Sequence, residues 1–148
     1  IAGLTSPDLT APFDKGFYIR PTIFKDVQSD HELFLEEVFG PVISMTPYTT
    51  EAEALELANT GNFGLGLSIW SRDIARAHRL SLGVRGGVVW LNDHHRNDPR
   101  SVWGGVRDSG FGKENGWDAL KAYTTKKSVV VRTAPGYDDW FAGSTRYG

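Results

Sequence analysis

The 148-residue sequence contains no cysteine. This absence excludes disulfide bonds, thiolate metal sites and a cysteine nucleophile within these residues. Neither sign of charge dominates, since 16 lysines and arginines stand against 18 aspartates and glutamates, and binding to nucleic-acid phosphates is therefore not the expected function. No apolar run approaches the roughly 18 residues of a membrane span, and no targeting signal is recognisable. We expect a soluble protein of the cytoplasm or another reducing compartment.

Hydrophobic residues make up 40% of the chain, which is enough for one domain with a sizeable core. Strand-like segments at residues 42–48, 65–71 and 87–91 alternate with two helical patterns. The first helix begins with a capping box at Thr50 and Glu53, and the second begins at Ser71 or Asp73. This order predicts an α/β fold with a parallel βαβαβ sheet covered by helices on both faces. A terminal edge strand is predicted at residues 128–131, between cationic flanks.

A polar loop follows the strand predicted at residues 87–91, where ligands bind in open parallel sheets. It contains Asn92, Asp93, His94, His95, Arg96, Asn97, Asp98 and Trp103. We interpret this loop as a candidate site, with an ordinary solvated connection as the alternative. His94 and His95 are expected to point to opposite sides of an extended chain, and no third ligand stands at a suitable spacing, so we predict no metal site.

A second candidate site combines Glu36 and Glu37 with Phe39. A carboxylate can accept two hydrogen bonds from a ribose diol, while an aromatic ring two residues later packs against a flat ring. Two solvated acids beside a core phenylalanine explain the same residues, and from these residues alone that second interpretation is favoured.

Seven segments carry a family resemblance between about residue 16 and residue 132. They are GFYIRPT from Gly16, EEVFGPV from Glu36, Ala58-Asn59 with Gly64-Leu65, Asn92, Trp103-Gly104-Gly105, SGFGKENG from Ser109, and the last strand. In this order and spacing they resemble the C-terminal part of the catalytic domain of NAD(P)-dependent aldehyde dehydrogenases. Two departures are Val102-Trp103, where the family has Pro-Phe, and Lys113, where arginine is common.

The resemblance implies roles for particular residues. Glu37 holds the hydroxyls of the nicotinamide ribose and Phe39 flanks the nicotinamide ring, while NAD or NADP is bound mainly by an upstream domain. The substrate tunnel is lined or shaped by five residues: Trp103, Asn92, Asp93, His95 and Asn97. The large indole of Trp103 favours a flat aromatic aldehyde.

The implied reaction is attack of a cysteine thiolate on an aldehyde, hydride transfer to NAD(P)+ and hydrolysis of a thioester to a carboxylic acid. The family's nucleophile, general base and oxyanion-holding asparagine lie upstream, so no catalytic residue is expected in this chain and we predict that it is inactive alone. Because the chain begins with Ile1 rather than methionine, we expect it to be a portion of a longer polypeptide.

The resemblance also divides the chain. Residues 1–123 belong to the catalytic domain, residues 124–133 are an oligomerisation strand and residues 134–148 are an aromatic tail. Residues 127–132 are expected to pair with a neighbouring subunit of a homo-oligomer. Two other functions stay open: a non-catalytic oligomerisation or structural partner, and an unrelated hydrolase or metal enzyme using His94, His95 and Asp98.

Overall fold

The computed structural model of the chain describes Gly3, residues 7–133 and residues 135–136. Strands and helices alternate in the order β1 (Thr22–Lys25), α1 (Glu32–Leu35), β2 (Val42–Met45), α2 (Glu51–Asn59), β3 (Gly66–Ile69), α3 (Ile74–Gly83), β4 (Val88–Leu91) and α4 (Gly116–Ala122), with a short 3-10 helix (Arg107–Ser109) before α4. The predicted α/β class is confirmed. The aromatic tail residues Tyr137, Trp140, Phe141 and Tyr147 lie outside the described residues.

The strands form two separate parallel pairs. β1 pairs with β2, with Thr22 opposite Val42, and β3 pairs with β4, with Gly66 opposite Val88. The parallel direction agrees with the sequence, but in the described part of the chain β2 and β3 do not pair, so the three predicted strands do not form one continuous βαβαβ sheet. Periodicity identifies a strand without identifying its neighbour, and β2 pairs instead with β1.

Few hydrophobic side chains are buried. Val27, Ala77 and Trp90 form the buried apolar set of the described residues, while Ile43 and Met45 on β2 are exposed. A sheet face of this kind is normally covered by a second layer. The predicted cover of helices on both faces is therefore incomplete in this chain, because these residues do not supply a second layer over β2.

Helix α2 begins where the capping box predicts. The Thr50 hydroxyl accepts a hydrogen bond from the Glu53 backbone N–H at 3.1 Å, while the Glu53 carboxylate accepts from the backbone N–H and the hydroxyl of Thr49, both at 2.7 Å. These hydrogen bonds hold the pKa of the Glu53 carboxyl below its usual value, and the bond from the Thr49 hydroxyl has the largest effect. Gly61, with a φ of 83°, reverses the chain just after the helix.

Helix α3 begins after Asp73, whose carboxylate accepts from the Arg76 N–H at 3.0 Å. An ion-pair cluster then joins α3 to α2. Glu51 on α2 lies 2.5 Å from the Arg76 Nε and 3.1 Å from an Arg79 guanidinium nitrogen. Asn59 links the far ends of the same helices, because its side-chain oxygen accepts from the Arg85 N–H at 2.7 Å and its Nδ2 donates to the Gly83 carbonyl at 2.9 Å.

Residues 125–133 form no helix or strand within the single chain. Val129, Val130 and Val131 are all exposed, Val130 at 91%. A strand needs a hydrogen-bonded neighbour, so the strand predicted at residues 128–131 is not formed in one chain and its pairing with another subunit stays a prediction. Among the described residues, no helix has the length and apolarity needed to cross a membrane.

Candidate functional site

A cleft of about 590 Å³ lies between the α1–β2 connection and the β3–β4 pair. Glu37 and Val38 line one side, and the rings of Trp90, His95 and Trp103 line another. The cleft thus brings one predicted cofactor residue and two predicted tunnel residues to the same space, although Glu37 and Trp103 are 66 positions apart in the sequence.

Phe39 is presented by two successive three-residue turns. The Gly40 N–H donates to the Val38 carbonyl at 2.8 Å, and the Val42 N–H donates to the Gly40 carbonyl at 2.8 Å. Phe39 is the central residue of the first turn, and its side chain is 96% exposed. Phe39 is therefore not part of a core formed by the described residues, and its large apolar ring is exposed beside the acidic residues.

Glu37 is also exposed, and it precedes the Phe39 turn by one residue. The oxygens of an exposed carboxylate have lone pairs that are available to hydroxyl donors. Glu37 and Phe39 therefore offer a double acceptor and an apolar ring from one short segment, which is a chemical match to a sugar diol joined to a flat heterocycle.

Four rings form an aromatic cluster, defined as Trp90, His94, His95 and Trp103. Trp90 is the central member, with ring centroids 5.8 Å from His94, 5.9 Å from His95 and 5.9 Å from Trp103. His95 meets Trp103 edge to face at 6.0 Å. Separations and tilts of this size are those of favourable aromatic pairs. The cluster gives the cleft a wall made of aromatic rings.

The two adjacent histidines do not point to opposite sides, so the expectation of an extended chain at this position is wrong. His94 and His95 have ring centroids 5.2 Å apart. His95 has a φ of 60°, a left-handed conformation that turns its ring back toward its neighbour. In the part of the chain that the structure describes, no group of three or more metal-ligating residues occurs.

Asn92 anchors the start of the loop after β4 through two hydrogen bonds. Its side-chain oxygen accepts from the Ser71 N–H at 2.8 Å, and its Nδ2 donates to the Ser71 carbonyl at 2.9 Å. Its φ of 53° is one that asparagine tolerates better than most residues. Asp93 accepts from the His94 N–H at 2.8 Å. The two side chains shape the loop, and neither lines the cleft.

Further along the loop, Asn97 is exposed and does not line the cleft. Asp98 and Arg100 form an ion pair at 2.9 Å. The Arg100 guanidinium lowers the pKa of Asp98, and the same hydrogen bond raises the pKa of Arg100. Because both groups are well hydrated, this pair orders the loop locally and contributes little to stability.

Trp103 is held by the backbone on both sides. Trp103 and Glu114 exchange N–H to carbonyl hydrogen bonds at 2.7 Å in an antiparallel bridge. The Lys113 ammonium donates to the Gly105 carbonyl. Gly104 also packs against Gly87 at the entrance to β4, where a side chain on Gly87 would meet the Gly104 carbonyl oxygen. The indole of Trp103 is thus carried on a rigid segment.

Sequence reasoning missed two members of this arrangement. Trp90 was expected only as an apolar strand residue, yet it is the centre of the aromatic cluster and its Nε1 donates to the Arg96 carbonyl at 2.9 Å. Ser68 on β3 lies 2.8 Å from the His94 Nδ1. A tryptophan directly before a polar loop was the available signal for the first, whereas nothing in the sequence indicated the second.

The chain is similar in sequence to known proteins. The model of the aldehyde dehydrogenase family matches residues 3–129. Betaine aldehyde dehydrogenase of Bacillus subtilis is 42% identical over 126 residues, which are 85% of this chain and 26% of that protein. Phenylacetaldehyde dehydrogenase of Pseudomonas fluorescens is 43% identical over 122 residues, which are 82% of this chain and 24% of that protein.

A solved structure is similar as well. Betaine aldehyde dehydrogenase of Staphylococcus aureus in complex with NAD+ superposes with a TM-score of 0.87 and 35% identity, covering 95% of this chain and 28% of that one. The chain spans about a quarter of the length of the curated relatives it matches. Since the family match extends over most of the chain, the chain belongs to the aldehyde dehydrogenase family.

Proposed function

We propose that this chain is the C-terminal part of an enzyme that oxidises an aldehyde to a carboxylic acid. Water supplies the second carboxyl oxygen, NAD(P)+ is reduced to NAD(P)H, and protons are released. Family membership supports the reaction class, and the similar Staphylococcus aureus structure holds NAD+. The observation that carries the proposal is the exposed Glu37 carboxylate in the lining of an aromatic-walled cleft, with the exposed ring of Phe39 two residues later and outside that lining.

The pair fits the nicotinamide end of the cofactor. The Glu37 carboxylate accepts hydrogen bonds from both hydroxyls of the nicotinamide ribose, and Phe39 packs against the nicotinamide ring. When bound, the nicotinamide supplies the hydride acceptor of the reaction. Because Phe39 stands at the centre of a hydrogen-bonded turn, this segment positions the ring with little loss of freedom on binding. The residues that select NAD+ or NADP+ lie in the part of the cofactor site that this chain does not form.

The aromatic cluster forms a wall of the aldehyde site. Trp103 and His95 line the cleft directly. Asn92 and Asp93 hold the loop that carries His95 through hydrogen bonds to Ser71 and His94, and Asn97 is exposed further along the same loop. A wall of flat rings favours a planar aryl aldehyde over a slim linear one. The description of the Pseudomonas fluorescens relative as a phenylacetaldehyde dehydrogenase supports this substrate class.

The nucleophile of the reaction stands outside these residues, since the chain has no cysteine. The chain contributes cofactor positioning, a substrate wall and assembly. For assembly, residues 127–132 add as a strand to a neighbouring subunit of a homo-oligomer, which the exposure of Val129, Val130 and Val131 supports. A location in the cytoplasm stays a prediction from the sequence.

The test is steady-state kinetics of the protein as its gene encodes it, with phenylacetaldehyde and either NAD+ or NADP+. Reduced cofactor and acid are expected in equal amounts. Glu37→Gln removes the charge from two hydrogen bonds and is expected to lower kcat/KM for the cofactor by about 10- to 100-fold.

The matched control is Glu32→Gln, an exposed carboxylate on α1 that does not line the cleft. It is expected to leave the cofactor constants within about two-fold of the parent protein. Absence of cofactor reduction with any aldehyde contradicts the proposed reaction, and equal constants for Glu37→Gln and the parent contradict the role of Glu37.

A further inference from the structure

Ser68 contacts the aromatic cluster but has no role in the proposed cofactor site or aldehyde site. It is half-buried in the middle of β3, and its hydroxyl lies 2.8 Å from the Nδ1 of His94, 26 positions later in the chain. A serine hydroxyl donates to a neutral imidazole nitrogen and accepts from a protonated one, so this hydrogen bond is available in either protonation state of His94.

The bond acts on a strained part of the backbone. Asn92 and His95, three positions apart, both have left-handed φ values, 53° and 60°. Such conformations persist where the surroundings determine them. Asn92 is held by its two hydrogen bonds to Ser71, whereas His95 is held through its ring contacts with His94, Trp90 and Trp103.

His94 therefore connects strand β3 to the ring of His95. Its ring meets Trp90 edge to face at 5.8 Å and lies 5.2 Å from His95. Trp90 itself is buried and anchored to the Arg96 carbonyl. The Ser68 hydroxyl is 2.8 Å from the His94 Nδ1, and the His94 ring is one of the neighbours of His95, which also packs against Trp103. Loss of the Ser68 hydroxyl removes this hydrogen bond from the His94 ring.

We propose that Ser68 is a positioning residue that sets aldehyde selectivity through His94. The Ser68 to His94 hydrogen bond keeps the His95 ring edge to face with Trp103, and this aromatic wall selects aryl aldehydes over linear aliphatic ones. The inference rests on the proposed function, because it concerns the substrate class of that same cleft.

The experiment measures kcat/KM for phenylacetaldehyde and for hexanal in the protein as its gene encodes it. Ser68→Ala is expected to lower the ratio of the two constants about three- to ten-fold, through a higher KM for phenylacetaldehyde and with kcat and the cofactor constants unchanged. Ser68→Thr keeps the hydroxyl and is expected to restore the parent ratio. Ser81→Ala is the control, since the Ser81 hydroxyl bonds to the His78 carbonyl on α3, away from the cleft.

A second pair of variants separates positioning from simple loss of packing. His94→Phe keeps a ring but removes the hydrogen bond, and in its background Ser68→Ala is expected to add no further change, because Ser68 acts only through His94. An added loss in the double variant overturns the inference. So does a ratio for Ser68→Ala within two-fold of the parent, or a ratio for Ser68→Thr as low as that for Ser68→Ala.

A crystal structure of the Ser68→Ala variant distinguishes this inference from the proposed function. If the parent protein oxidises no aldehyde, the proposed function fails and the selectivity role fails with it. The positioning role is then decided by the structure itself: a displaced His94 ring with His95 at negative φ supports it, and an unchanged aromatic cluster overturns it.

Discussion

Replacement of Gly87 by alanine tests whether the Trp103 segment is held against β4 as the structure indicates. A Cβ atom on Gly87 would lie 1.7 Å from the Gly104 carbonyl oxygen and 2.8 Å from the Gly104 carbonyl carbon. Since real Cβ atoms essentially never approach another heavy atom within 3.0 Å, the two segments must separate by at least 1.3 Å. Backbone atoms form the obstacle, so no side-chain rotation relieves it.

The expected cost is at the upper end of overpacking, about 3 kcal/mol of the free energy of unfolding. The separation also displaces Trp103, which directly precedes Gly104, and a shift of about 1 Å at a substrate wall can lower kcat/KM up to about 100-fold. The assay is urea unfolding followed by tryptophan fluorescence, together with aldehyde kinetics of the protein as its gene encodes it.

Gly86→Ala is the matched control. A Cβ atom at Gly86 would have its nearest neighbours at 3.6 Å and 3.7 Å, which are ordinary contacts. This variant is expected to leave the urea midpoint close to that of the parent. If Gly87→Ala unfolds at the same urea concentration as Gly86→Ala, the close approach of Gly87 to Gly104 is refuted.

Two further perturbations test the frame around the site. Asn59→Ala removes two hydrogen bonds between the ends of α2 and α3 and is expected to lower the free energy of unfolding by about 1–3 kcal/mol. The control Asn62→Ala, at an exposed position nearby, is expected to change it by less than about 0.5 kcal/mol. Similar urea midpoints for the two variants contradict the Asn59 bridge. Val130→Pro removes a backbone hydrogen-bond donor from residues 127–132 and is expected to shift the protein to smaller species in size-exclusion chromatography. Val130→Thr keeps the donor and is expected to elute with the parent protein. An unchanged elution volume for Val130→Pro contradicts strand addition.

The helices and strands could be predicted from local signals, but their pairing could not. The capping box at Thr50 and the cap at Asp73 fix the starts of α2 and α3 through bonds within four residues. The partner of β2 depends instead on which other strand lies nearby, and the extended segment that the sequence indicates at residues 18–24 carries no signal that it pairs with β2. Local sequence therefore predicted the class of the fold and missed the division into two strand pairs.

The candidate site shows the same contrast. Glu37 and Phe39 were recognisable because they are contiguous in the sequence, and the turns at Gly40 account for the exposure of Phe39. The aromatic cluster was not recognisable as a whole, because the contact between the adjacent His94 and His95 rings depends on the left-handed conformation of His95. Histidine adopts such a conformation often enough to allow it, but not often enough to predict it.

The most direct test of the central claim is a crystal structure of the protein, as its gene encodes it, with NAD+ or NADP+ bound. The account predicts the Glu37 carboxylate oxygens about 2.5–3.0 Å from the nicotinamide ribose hydroxyls, and the Phe39 ring in contact with the nicotinamide. A cofactor whose nicotinamide ribose lies away from Glu37, with Phe39 still exposed to solvent, contradicts it.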